Sequence, residues 1–183
     1  HSPARGSRRR LLRGEHLEDR RLLAVSFEFN FLGGSSVGFN DPIVGVDYKA
    51  ALEAAATRLG DDILHDATIE LDVSSAPFNG TNVASATSNV GPVVSGGGFV
   101  HRVVPSKILG EGDLNGSEID GTVDVFFFGS GDPYTYVLDP TEADEAGEID
   151  FQAVMYHELA HMLGFTSNTH SDGRDDAGNG LSL

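Results

Sequence analysis

His157, Glu158 and His161 form a His-Glu-x-x-His spacing inside a stretch, 149–165, whose apolar residues recur at helical intervals. At 3.6 residues per turn the two histidines stand roughly 40° apart on one helix face, so both imidazoles can converge on one ion. Glu158 falls on the flank beside them. There its carboxylate can reach a water on that ion without being a ligand itself, which is where a general base is needed. The chain has no cysteine, so any metal must be held by His, Asp, Glu or backbone oxygen. The alternative for the same residues is an ordinary amphipathic helix, with Phe151, Val154, Leu159 and Met162 in the core and two solvated histidines.

A helix that presents such a pair needs defined ends. Asp150, just before the apolar run, is expected to be the N-cap, and Gly164 is expected to end the helix in a left-handed turn, giving one helix of about four turns. Zinc sites use at least three protein ligands, and this helix supplies two. His170 is the nearest further imidazole, and Asp172, Asp175 and Asp176 offer carboxylates. A ligand further downstream than residue 183 is the other possibility.

Other clusters carry less. The segment 113–120 alternates oxygen side chains (Asp113, Asn115, Ser117, Asp120) like a calcium loop, but Glu118 stands where an EF-hand loop needs Gly. A solvated turn is the simpler reading. The acidic 172–176 segment is a second candidate for Ca2+ on the same terms. His65 and His101 are single histidines without a partner at ligand spacing, and core or surface roles are the default. Gly96-Gly97-Gly98 lacks the lysine and helix of a phosphate loop.

The 183 residues are enough for one domain, and 39% hydrophobic content is enough for a core. No apolar run is long enough to span a membrane. The net charge of −16 conceals two regions: residues 1–21 carry seven Arg against three acids, while the remainder carries five Lys and Arg against 25 acids. An acidic body repels phosphate backbones, so no nucleic-acid partner is expected. Such a surface suits a secreted protein and equally plain solubility. Residues 1–24 read as a basic flexible lead, and residues 25–183 as the folded domain.

Residues 26–31 alternate with period two and predict a strand, stopped by Gly33-Gly34. Asp47 is expected to cap a helix over 48–59, with Tyr48, Leu52, Ala55 and Leu59 facing inward and Gly60 ending it. Residues 68–73 alternate as a second strand. Residues 74–98 read as a long loop, 99–104 as a strand stopped by Pro105, and 110–121 as turns. The run 122–128 reads as an apolar strand, and 134–138 as a short one before Asp139-Pro140. This order fits an α+β layered domain.

The segment His157-Glu158-Leu159-Ala160-His161-Met162-Leu163-Gly164-Phe165 resembles the active-site helix of metzincin-type zinc endopeptidases, and its Leu-Gly-Phe ending is most similar to leishmanolysin-like enzymes. The resemblance implies zinc ligation by His157 and His161, a general-base role for Glu158, and a sharp turn at Gly164 that returns a third ligand to the metal. It further implies a zincin-like domain with a mixed sheet, of which the strand-helix-strand lead is the N-terminal part, and a protein or peptide substrate. The compact metzincin spacing places the third ligand at Ser167, a poor zinc ligand, which leaves His170, an Asp or a residue further downstream for that role. Residues 17–24 resemble the LEPR-XLL segment of exported or surface proteins of planctomycete-type bacteria, with Asp19 in place of the family's Pro. Together these imply an extracytoplasmic bacterial zinc metalloendopeptidase in which an extended substrate pairs with the 122–128 strand. The competing class is a non-catalytic secreted or surface module, either a pseudo-enzyme or a calcium-stabilised adhesion domain.

Overall fold

β-Branched and aromatic residues at alternate positions build the strands, and the chain order decides how they pair. In a computed structural model, which describes residues 24–33, 36–89, 102–142 and 145–165, β1 (Val25–Phe31) lies parallel to β2 (Ala67–Pro77), with Val25 opposite Ala67 and Phe31 opposite Val73. Parallel neighbours need a crossover, which helix α1 (Gly45–Asp61) provides. β2 then pairs in parallel with β4 (Gly121–Phe127), and β3 (Ala84–Ser88) runs antiparallel to β4 along its other side. The sheet order is β1-β2-β4-β3, a mixed sheet in an α+β fold. Apart from Ala24, the basic lead lies outside the described residues, as do His101 and residues 90–100.

The sheet's inward residues Ile69, Leu71, Val73, Val123 and Val125 are buried beneath α1 and α3 (Phe151–Met162). Leu52, Ala55 and Leu59 face inward from α1 as their spacing predicted, and Tyr48 sits half-buried in an aromatic cluster with Phe39, Phe127, Tyr136 and Phe151. The rings of Tyr48 and Phe151 lie 5.2 Å apart, and those of Tyr136 and Phe151 5.0 Å apart, both edge to face. Such contacts add about 0.5–1.5 kcal/mol each beyond burial, and here they join α1, β4, β5 (Thr135–Val137) and α3.

Several expectations are corrected. Helix α1 begins at Gly45, before Asp47, because Asp41 Oδ1 accepts from the N–H groups of Ile43 (2.8 Å) and Val44 (3.0 Å) and organises the turn that leads into it. Asp47 lies in the first turn, where its charge suits the helix dipole. Gly60 is inside the helix. A Cβ there would sit 2.0 Å from the Val25 carbonyl oxygen, so glycine is required by the close approach of α1 to β1. Gly60→Ala is therefore expected to destabilise the fold by about 1–3 kcal/mol, despite alanine's better helix propensity, as overpacked positions do. Equilibrium urea unfolding measures this; an unchanged or higher midpoint would contradict the packing.

The expected loop after residue 73 is strand as far as Pro77, and strand again at β3, whose small polar residues lack apolar alternation. Instead of a strand ending at Pro105, residues Val103–Ile108 form helix α2, with Pro105 in its first turn, where its missing N–H costs no helical bond. The short strand expected at 134–138 is present as β5, Thr135–Val137; its parallel partner β6 (Glu148–Asp150) is the element that the sequence did not announce. β6 runs directly into α3, so this small sheet aims the helix.

Candidate metal centre

Helix α3 starts where Asp150 places it: its Oδ1 accepts from the Ala153 N–H at 3.0 Å, the N-cap bond that the sequence predicted. Phe151, Met155, Leu159 and Met162 form the inward stripe, with Met155 in the place expected for Val154, which is only half-buried. Opposite that stripe lie His157, exposed, and His161, half-buried. Their ring centroids are 4.3 Å apart with the planes at 78°, so the helix brings the two imidazoles together. Gly164 closes the helix at φ +99°, the left-handed end expected from the sequence. Beyond it, the Phe165 carbonyl oxygen lies 2.9 Å from His161 Nδ1.

Glu158 is half-buried on the flank between the histidines and the core. Its surroundings are marked by Tyr136, whose hydroxyl donates to the carbonyl oxygens of Val83 (2.8 Å) and Phe126 (3.1 Å). Burial above all pushes the Tyr136 phenol well above its ordinary range; Tyr48 and the negative charge of Glu158 add to the rise. The other flank of α3 belongs to α1: the Tyr156 hydroxyl donates to Asp62 at 3.2 Å, and the Arg58 guanidinium lies 5.8 Å over the Tyr156 ring. A cleft of about 320 Å³ between these helices, lined by Arg58, Gln152 and Tyr156, is therefore on the side away from the histidines.

Comparison with protein families, curated proteins and solved structures finds no match to this chain.

Zinc favours imidazole nitrogen, and two imidazoles stand adjacent here, a pair chemically suited to that metal. His170, Asp172, Asp175, Asp176 and Ser167 lie outside the described residues. Among the described residues no group of three or more His, Asp or Glu converges on a metal position.

The 113–120 loop is organised by protein donors. Asp113 Oδ1 accepts from the Gly116 N–H at 3.0 Å and its Oδ2 pairs with Lys107 Nζ at 3.2 Å. Asn115 Nδ2 donates to the carbonyls of Glu118 (2.8 Å) and Ile119 (2.7 Å). Asp120 is fully buried and holds Lys107 Nζ at 2.9 Å, so an ammonium stands where a cation would have to sit. His65 is exposed in the turn after α1.

The 122–128 strand cannot receive a substrate strand. It is β4, hydrogen-bonded on both sides by β2 and β3, and the free edges of the described sheet are β1 and β3. Of these, β3 packs against α3. No sequence feature reveals which strand is the edge, because edge position follows from pairing between segments far apart in the chain.

Proposed function

We propose that this chain carries the catalytic helix of a zinc-dependent endopeptidase, with a zincin-like fold around it. The reading is supported above all by His157 and His161, side by side on the solvent face of a helix capped at both ends, with Glu158 on the adjacent flank. His157 and His161 would hold the metal together with a third ligand, for which His170 and Asp172 are the nearest candidates in the chain. When bound, zinc lowers the pKa of water to about 7 and polarises a carbonyl. Glu158 takes the proton from the water that attacks the peptide carbonyl and passes it to the departing amine, while the strand-edge groups of β3 orient an extended peptide by main-chain pairing. The strand-helix-strand lead β1-α1-β2, with the apolar strand β4 ahead of the histidine helix α3, supports the zincin reading. Among the described residues no helix is long and apolar enough to cross a membrane. The resemblance at residues 17–24 supports an extracytoplasmic bacterial setting.

Chelation tests the cofactor. Hydrolysis of an unstructured protein substrate such as casein should cease with 1,10-phenanthroline and return when zinc is restored in slight excess. Hydrolysis indifferent to the chelator would contradict a metal-dependent centre.

A further inference from the structure

The C-terminal turn of α3 is built from two backbone bonds. The Gly164 N–H donates to the His161 carbonyl at 3.0 Å, and the Phe165 N–H reaches back to the Ala160 carbonyl at 3.1 Å. This is the Schellman arrangement, which satisfies carbonyls that a helix end otherwise leaves bare, and it requires the left-handed backbone at Gly164. The same turn swings the Phe165 carbonyl over the last turn of the helix, 2.9 Å from His161 Nδ1. A carbonyl oxygen can only accept, so Nδ1 must carry the hydrogen. A neutral imidazole has one ring hydrogen, and with it on Nδ1 the lone pair is on Nε2. Among the described residues His157 has only its edge contact with the His161 ring.

We propose that the Gly164–Phe165 turn is a positioning device that fixes His161 in its Nδ1–H tautomer and ring orientation, with Nε2 presented as a metal donor before any metal arrives. Its purpose rests on the zinc reading above; the tautomer itself does not. A metal-binding histidine must be neutral, in one tautomer and in one rotamer, and a hydrogen bond to the non-ligating nitrogen meets the last two conditions in advance. The device depends on backbone at both residues. Phe165 is 72% exposed, so only its backbone N–H and carbonyl take part. A Cβ on Gly164 would lie 3.6 Å from Pro105 Cγ, an ordinary contact, so a side chain there is penalised by φ and not by crowding.

Long-range proton–nitrogen NMR correlations of the imidazoles in the zinc-free protein, at a pH of about 8, read the tautomers directly. The parent should show the hydrogen of His161 on Nδ1 and an unbiased pattern for His157. Phe165→Ala should leave both unchanged. Gly164→Ala should release His161 toward the Nε2–H form and weaken zinc binding by about tenfold, whereas Gly164→Asn, which tolerates the left-handed region, should retain most of both. If Gly164→Ala fails to fold, the parent and Gly164→Asn spectra decide. An Nε2–H tautomer for His161 in the parent overturns the proposal, as does a folded Gly164→Ala that keeps both the Nδ1–H tautomer and full zinc affinity. An intact Nδ1–H tautomer in a chain that takes up no zinc overturns the metal-binding purpose and, with it, the zinc reading.

Discussion

Glu158→Gln is expected to lower peptide hydrolysis by about 10²–10⁴-fold and to leave zinc bound, the span that removal of a general base produces. The substitution keeps the size and shape of a half-buried side chain, so α3 and the imidazole pair remain as they are. What changes is basicity: an amide does not take a proton from water at neutral pH. The result is read as initial rates against zinc content in the same preparation. A rate equal to the parent's would remove Glu158 from the mechanism. An independent readout checks that the carboxylate stands where the structure puts it. Its charge contributes to holding Tyr136 above the usual phenol range, so in Glu158→Gln that tyrosine should ionise at lower pH than in the parent, as followed by ultraviolet absorbance.

Asp120→Ala is expected to cost about 3 kcal/mol of folding stability, the lower end of what breaking a buried ion pair produces. Asp120 is fully buried. It accepts from the Glu70 N–H at 2.8 Å and from Lys107 Nζ at 2.9 and 3.1 Å, tying β2, α2 and the start of β4 together. Truncation leaves the Glu70 N–H without its acceptor and Lys107 with Asp113 alone, at 3.2 Å. Lys107 is partly exposed and can turn to water, which is why the lower end is expected. Burial depresses the Lys107 ammonium, but its hydrogen bonds and charge interactions with Asp120 and Asp113 outweigh this and raise its pKa above the ordinary 10.5. A raised lysine contributes stability that is full below its unfolded value and lost as pH climbs through the folded one. The gap in urea midpoint between parent and Asp120→Ala should therefore be constant through neutral pH and narrow above about 10.5. A variant as stable as the parent at neutral pH would show that the pair contributes nothing.

The parts of the fold written in local chemistry were legible in the sequence. Helix α3 has a side-chain cap at Asp150, a left-handed glycine at 164 and an inward stripe between them, so its limits followed from three residues. β1, the start of β2 and β4 showed clear apolar patterning because one face of each is buried. What escaped was set by distant partners. β3 is held by antiparallel pairing with β4 and carries no alternation of its own, and β6 is three residues long and exists through β5. Pro105 reads as a stop in a strand and is acceptable in the first turn of a helix; local sequence does not choose between these. Gly60 looked like a terminator because its reason for being glycine is the Val25 carbonyl, 35 positions away in the chain. At the site, the histidine pair and Glu158 were legible from spacing alone. The Phe165 carbonyl on His161 was not, since any residue supplies a carbonyl.

Zinc titration by calorimetry of the parent, His157→Ala, His161→Ala and His170→Ala proteins tests the metal helix most directly. Loss of measurable binding in both His157→Ala and His161→Ala is expected, because each removes half of the adjacent imidazole pair. A further loss in His170→Ala identifies the third ligand as the short-range one, and an unaltered affinity there assigns it to one of the carboxylates or to a residue further downstream. Zinc affinity that survives His157→Ala undiminished would contradict the account.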